Sequence, residues 1–464
     1  MTAAAEALSG LLGDASVSTI AVDLEEHARD WSAGPAIEMR SGTALPLPSC
    51  VVRPRSTANV SEILRWANDT GTPIVPFGAG SGVCNGIRPE GAVVVDLRAM
   101  DRVLDIDAKS MLVRAEAGIM GPALDARLRA EGLMLGHEPQ SIAISTLGGW
   151  VATRACGQLS ARYGGIEDLV IGLEAVLPGG KIVRSRPVAR RSTGPDVAAL
   201  MIGSEGSLGI VTEATLKVVS VPEEREDRVV RFERMADGIA ACRALAQSDL
   251  TPTVVRLYDE TDSTIFLRHH PDEPQGVLLL LSFDGDDARG RAERAVALTG
   301  GVLGNAHLVE HWWSHRNDAV EDFKELIAGR GLLGPHAVVD TMEVSGTWTG
   351  LRDLYHGIKD ALTPDAALLG CHVSHIYPHG ACLYFTLAAP AEDDVSAAAL
   401  LGTWWEKGMD VCTEVGGAIS HHHGVGRLKA AWLPAELDGW WDVLVAVKRA
   451  VDPKGIMNPG VLGL

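Results

Sequence analysis

The sequence predicts an α+β protein of two lobes. Strand and helix patterns alternate from about residue 50, and three glycine-rich segments punctuate the first half. After "SVPEERED" (220–227) the texture changes to longer helical stretches with intervening strands. At 464 residues the chain is too long for one simple core. The boundary between the two lobes is expected near residues 220–227.

Each element has its own signal. "CVVRPRS" reads as a strand, and "TANVSEILRWANDTG" as a helix with Val60, Ile63, Leu64 and Ala67 on one face and Gly71 as its stop. "PIVPFGAGSGVCNG" is a short apolar strand running into a glycine loop, "GAVVVDL" is another strand, and "SMLVRAEAGIMGPALDARLRAEG" gives strand, turn and helix. "LVIGLEAVLPGGKIVRS" predicts a hairpin around Pro178-Gly179-Gly180, and "GIVTEATLKVV" a further strand. "GVLLLLSF" (276–283) has the length of a buried strand, too short to span a bilayer.

Composition narrows the class of function. Hydrophobic residues make up 46% and charged residues 22%, as in ordinary soluble globular proteins. With 60 acidic and 41 basic side chains the formal net charge is −19, which argues against a nucleic-acid or anionic-membrane surface while leaving room for a local basic pocket. The N-terminus is apolar but acidic, without the basic region of a secretory signal. Seven scattered cysteines, with no CxxC pair, read as reduced thiols in a cytoplasmic protein. The expected partner is a small-molecule substrate, with no nucleic acid and no integral membrane segment; a homodimer stays open.

"PFGAGSGVCNG" (76–86) is not a Walker A loop, and Val83 stands where the dinucleotide fingerprint needs glycine. What remains is physical: glycines at 78, 80 and 82 let backbone N–H groups approach an anion closely, and the alternative is a tight turn. "PQSIAISTLGGWVATRACGQLSARYGGIEDLV" (139–170) adds paired glycines, small residues and hydroxyls, and "GSEGSLGIVTEATL" (203–216) adds a third such stretch. Together they suggest backbone lining a long, flat ligand.

"ISHHHGVG" (419–426) raises a separate question. On an extended segment His421 and His423 share one side and His422 takes the other. A metal site would draw on His372, His375 or His379, but no Asp or Glu stands close in either segment and no ligand spacing is met, so no metal is expected. A chance surface run is the second reading. Proton handling near neutrality is the third and the preferred one. The tryptophan pairs at 312–313, 404–405 and 440–441 read as core or interface packing.

The ordered motifs PFGAGSG, STLGGWVATRACG, YGGIEDLV and GSEGSLGIVTEA resemble the FAD domain of the vanillyl-alcohol oxidase/PCMH superfamily. "CHVSHIYPHGACLYF" (371–385) followed by "SHHHGVGRLKAAWL" (420–433) resembles alkyldihydroxyacetone-phosphate synthase-like flavoenzymes. The resemblance implies a PCMH-type FAD domain over 1–222, a mixed α/β substrate cap over 223–419 and a C-terminal segment, 420–464, returning to the FAD domain. It implies that Pro76, Phe77, Gly78, Ala79, Gly80, Ser81 and Gly82 hold the pyrophosphate. Pro139, Ser141, Ser145, Thr146, Gly148, Gly149, Ala152, Thr153, Arg154 and Ala155 would line the flavin. Glu205, Gly206, Gly209, Ile210 and Val211 would meet the adenosine side, and Asn458 would also contact the cofactor.

By the same resemblance Tyr384 is the acid/base, His421, His422 and His423 are the essential histidine run, and Arg256 binds substrate. A phenol, with a pKa near about 10, needs a neighbouring base or cation to act at neutral pH. One position departs from the pattern: Lys324 stands where an arginine binds the substrate phosphate, and lysine lacks the bidentate fork. In relatives with tethered flavin the position of Gly80 is histidine, so FAD is expected to be non-covalent, without a tether from Cys84. The implied reaction is oxidation of a small molecule at a C–H beside oxygen or nitrogen, the Tyr/His cluster removing the proton. The alternatives are redox-neutral acyl-to-alkyl exchange, as in a true alkylglycerone-phosphate synthase, and a 2-hydroxy-acid dehydrogenase. A flavin-binding sensor is disfavoured, because binding alone does not require this cluster.

Overall fold

The computed structural model describes residues 2–266, 276–318, 325–326, 328–331 and 333–464. The first sheet has four strands in the order Val17–Ser18, Cys50–Val52, Val93–Asp96, Ile74–Phe77, the last three mutually parallel. A parallel pair needs a crossover, and the helix Thr57–Thr70 provides it between Cys50–Val52 and Ile74–Phe77. Ser56 caps this helix by accepting the Asn59 N–H at 3.2 Å, and Gly71, at φ +70, closes it. Val60, Ile63, Leu64 and Ala67 are wholly buried, as the 3.6-residue period predicts.

The end of the chain extends this sheet. Ile74 N–H donates to the Ile456 carbonyl and Asn458 N–H to the Ile74 carbonyl, both at 2.8 Å, so the last residues pair with the edge beside the glycine loop.

A five-stranded antiparallel sheet follows, in the order Val103–Asp107, Leu112–Glu116, Ile210–Lys217, Val170–Val176, Ile182–Arg184. Its last two strands form the expected hairpin, with Gly180 at φ +78 in the turn.

The third sheet has seven antiparallel strands, ordered Val302–Leu303, Arg225–Phe232, Val277–Asp284, Val254–Tyr258, Leu368–Tyr377, Gly380–Ala389, Val338–Thr347. Period-2 alternation divides its side chains between two jobs. Val255, Leu257, Val373, Leu383 and Phe385 pack into a core with the helices Met235–Ala246, Leu351–Leu362 and Asp394–Val415. Arg256, Tyr258, His372, Tyr384 and Thr386 face the other way, into a cavity.

The stretch "GVLLLLSF" is a central, buried strand, as expected. Trp404 and Trp405 are core residues, and Trp312, 3% exposed, packs in a second core cluster while also lining the cavity; Trp440 is 73% exposed in the single chain. All seven cysteines are free and buried. No helix among the described residues is long and apolar enough to cross a membrane.

Candidate active site

A single cavity of about 1260 Å³ runs between the glycine loop and the open face of the seven-stranded sheet. Ligand pockets for drug-sized molecules span about 300–1,000 Å³, so this volume suits a dinucleotide together with a substrate. Its lining includes Pro76–Gly82 and also Arg256, Tyr384, His422 and His423. Pro139, Ser141, Ser145, Thr146, Gly148, Gly149, Ala152, Thr153, Ala155, Glu205, Gly206, Gly209, Ile210, Val211 and Asn458 line it as well.

The cradle depends on missing side chains. A β-carbon at position 78 would lie 2.5 Å from Thr146 Oγ1, and one at Gly206, where φ is +74, would lie 2.8 Å from Pro76 Cγ. Gly80 has φ +69, and a β-carbon there would sit 2.9 Å from the Phe77 ring. Bare backbone, small residues and a long concave volume fit FAD, with the loop N–H groups available to its pyrophosphate. Gly80→Val is therefore expected to abolish flavin binding while sparing the second lobe; wild-type FAD affinity in that variant would place the cradle elsewhere.

Two cavity residues gave no sequence signal. Asp30 Oδ2 accepts the Gly86 N–H at 2.7 Å, and Trp31 N–H donates to the Gly82 carbonyl at 2.8 Å, so a segment about fifty residues upstream clasps the loop. Burial raises the Asp30 carboxyl against the pull of Ser32 and the Gly86 N–H.

The histidine run is a turn, which corrects the expected alternation. The carboxylate of Glu343 accepts from Ser420 Oγ at 2.9 Å, from His423 N–H at 3.0 Å and from His421 N–H, and Lys429 Nζ donates to it at 2.8 Å. Wrapped around one carboxylate, the segment cannot stay extended. His422 and His423 line the cavity, while His421, expected to match His423, packs behind with its Nε2 2.7 Å from Tyr377 Oη and its Nδ1 3.0 Å from His422 Nδ1. Glu343 and Lys429 are fully buried. Burial works against the Glu343 carboxylate, but Lys429 and then His423 and His422 hold its carboxyl well below the usual range.

Glu205 secures the other end of the turn. Its two oxygens accept the Val425 and Gly426 N–H groups at 2.7 and 2.9 Å, so its carboxylate holds the segment after the histidines while the residue also lines the cavity. Burial raises its carboxyl to about 7, against those two bonds.

Tyr384 lies in a row across four strands. Glu343 and His372 are its direct cross-strand neighbours, and Tyr258 follows His372. Its ring stacks on His372 at 4.7 Å between centroids and meets His423 edge-on at 5.5 Å and His422 at 6.0 Å. Arg256 Nη1 lies 3.3 Å from His372 Nε2, and His372 Nδ1 lies 2.7 Å from Asp262 Oδ2. His372 and Asp262 carry chemistry that sequence reasoning assigned only as a possible metal ligand or not at all. Lys324 lies outside the described residues. Arg154 leaves the expected flavin wall: it is the left-handed residue, φ +56, that ends the helix Leu147–Thr153, and its side chain turns outward to Glu167 at 3.5 Å.

Burial sets the protonation states. It pushes His423 and His421 down to about 4 and His422 well below its ordinary value, against the attraction of Glu343. Burial also pushes the Tyr384 phenol up, and Glu343, Asp340 and Asp262 add to the rise. At neutral pH His421, His422 and His423 are therefore neutral beside a neutral phenol, and the group lifted toward neutrality is the Glu205 carboxyl, at about 7, rather than a histidine. The basic form of His423 survives down to about pH 4. The histidine limb of flavin reduction should lie near pH 4 and not near 6.5. Because Glu205 is raised to about 7, the profile is read against that of Glu205→Gln, and an acid limb near 6.5 that persists in that variant would contradict this burial.

His375, Cys382, His421 and His422 bring potential ligand atoms within 4.8 Å of one another, a donor set that sequence spacing did not reveal. Both ring nitrogens of His375 are engaged, with Ser374 Oγ and the Gly157 carbonyl, as are both of His421, with Tyr377 and His422, while His422 is engaged through Nδ1. The Cys84 thiol donates to the Gly424 carbonyl at 3.3 Å.

The chain matches a model described as FAD binding domain over residues 48–186 and one described as FAD linked oxidases, C-terminal domain, over residues 221–462. It is 32% identical over 439 residues to the FAD-linked oxidoreductase YgcU of Escherichia coli K12, covering 90% of this chain and 89% of that protein. It is 29% identical over 472 residues to the alkyldihydroxyacetonephosphate synthase of Dictyostelium discoideum, covering 93% and 76%. A solved alkyldihydroxyacetonephosphate synthase structure superposes with a TM-score of 0.79 at 26% identity, covering 98% of this chain and 84% of the other. With the cradle fitted to FAD and both matched regions in order, the chain belongs to the FAD-linked oxidases, a family of FAD-binding oxidoreductases.

Proposed function

We propose that this flavoenzyme oxidises a small molecule at a C–H beside oxygen or nitrogen, and that the cluster of Tyr384, His422 and His423 removes the proton. One observation carries the reading: the cavity lined by the glycine cradle is also lined by a phenol with two imidazoles beside it. FAD bound in the cradle supplies a hydride acceptor. Tyr384, a neutral phenol, positions the substrate heteroatom and passes its proton on. His423 or His422 takes that proton, and the His422–His421–Tyr377 chain offers it a path away from the cavity. Arg256 orients the substrate from the strand Val254–Tyr258, which lies two strands from that of Tyr384. The cofactor is held without a covalent bond, a reading supported by glycine at position 80 and by the engaged Cys84 thiol. Residues 1–222 with 420–464 form the cofactor lobe of this proposal, and 223–419 the substrate cap.

A second reading, redox-neutral acyl-to-alkyl exchange, is supported by the likeness to the Dictyostelium synthase across 93% of the chain. Anaerobic mixing separates the two. Persistent bleaching of the flavin band by 2-hydroxy acids or related alcohols and amines is the expected result. Product formation from an acylated glycerone phosphate and a fatty alcohol, without net bleaching, would replace oxidation by exchange. Acid precipitation should release FAD into the supernatant; flavin retained in the pellet would refute the non-covalent part.

A further inference from the structure

We infer that Asp262 and His372 form a positioning pair that holds the Arg256 guanidinium in the cavity as the receptor for an oxyanion. The inference rests on the proposed site but concerns residues to which that proposal gives no role. A guanidinium can only donate hydrogen bonds, so His372 Nε2, 3.3 Å from Arg256 Nη1, must be the acceptor. The imidazole proton then sits on Nδ1 and is donated to Asp262 Oδ2 at 2.7 Å. Asp262 thereby fixes the tautomer, and the tautomer fixes the arginine.

The pair is itself held rigidly. The His372 ring lies between Tyr258, at 5.2 Å, and Tyr384, at 4.7 Å. Asp262 N–H donates to Asp259 Oδ1 at 2.8 Å, which caps the helix Glu260–Phe266 and sets its first turn. Gly370 makes room: a β-carbon there would lie 2.8 Å from Asp262 Oδ1 and 3.1 Å from its Cα. Glycine weakens a buried strand, so its presence two residues before His372 marks a close approach that the strand accommodates.

The geometry leaves one donor of the arginine unpaired, with the Trp312 ring centroid 5.8 Å from its guanidinium carbon. Arg256 is 8% exposed, its Nε has no hydrogen-bond partner among the described residues, and no described carboxylate pairs with it directly. A buried cation in that state is costly until an anion meets it. Carboxylate and phosphate share the chemistry that a guanidinium fork recognises.

Isothermal titration of the purified holoenzyme with oxalate, and separately with inorganic phosphate, tests this, with FAD content measured for each preparation. One anion should bind the wild type, the better of the two naming the source, and Arg256→Ala should abolish binding. His372→Ala should raise Kd about tenfold or more with FAD content unchanged, because misplacing a group by about 1 Å can cost about 10²-fold. His372→Gln, whose amide oxygen can replace Nε2 as acceptor, should recover most of that loss; a merely structural role would not be rescued by one acceptor atom. Gly370→Ala, which displaces Asp262, should also raise Kd. A wild type that binds neither anion, or a His372→Ala variant that binds as tightly as wild type, overturns the pair even if flavin bleaching proceeds. Failure of bleaching with these binding results intact falls on the proposed reaction alone.

Discussion

Replacing Tyr384 with phenylalanine is expected to slow flavin reduction by about 10²–10⁴-fold, the usual contribution of a positioned acid–base group, while FAD stays bound. The substitution removes one hydroxyl and leaves the ring that stacks on His372 and meets His423. The Gly380–Ala389 strand keeps its ladders on both sides, because these use backbone atoms only. The loss should therefore appear in the rate of reduction and not in FAD content or thermal stability. Turnover within a factor of about two of wild type would remove the phenol from the chemistry.

Lys429→Met is expected to destabilise the protein by about 3–5 kcal/mol, the cost of leaving one partner of a buried pair uncompensated. Lys429 and Glu343 are both wholly buried, and the same carboxylate holds Ser420 and the backbone of His421 and His423. The charge that Lys429 neutralises is thus the one that shapes the histidine turn. Glu343 has a carboxyl held below its unfolded value, so its stabilisation is complete above about pH 4.3 and is lost as pH falls through the depressed folded value. Denaturant unfolding at pH 7 reads the effect, and the double variant Glu343→Gln/Lys429→Met should recover part of it because no charge remains buried. A Lys429→Met variant as stable as wild type would show that the other three donors suffice.

The parts legible in the sequence are those decided locally. The helix Thr57–Thr70 was written in four apolar positions, a cap and a left-handed glycine. The cradle was legible because close packing such as that of Gly78 against Thr146 excludes side chains and leaves runs of glycine. The conformation of the histidine turn was hidden because Glu343, on a strand 78 residues before His421, bends it. Asp30 and Asp262 were hidden for the same reason: each is a single acid in unremarkable sequence whose role depends on a distant strand or loop. Arg154 looked like wall because its neighbours are, yet one left-handed residue at a helix end turned it outward. Three adjacent letters do not show the burial that lowers His423 to about 4 against the attraction of Glu343.

The central claim, that the histidine turn presents two imidazoles to the flavin and keeps one behind, is tested most directly by single alanine variants of residues 421–423. Each is assayed for FAD content and for the anaerobic rate of flavin reduction. His422→Ala and His423→Ala should retain FAD and reduce it slowly, because both rings line the cavity. His421→Ala, whose ring contacts Tyr377 and His422 instead, should show the smallest loss. Three variants that reduce flavin at the wild-type rate would contradict the account.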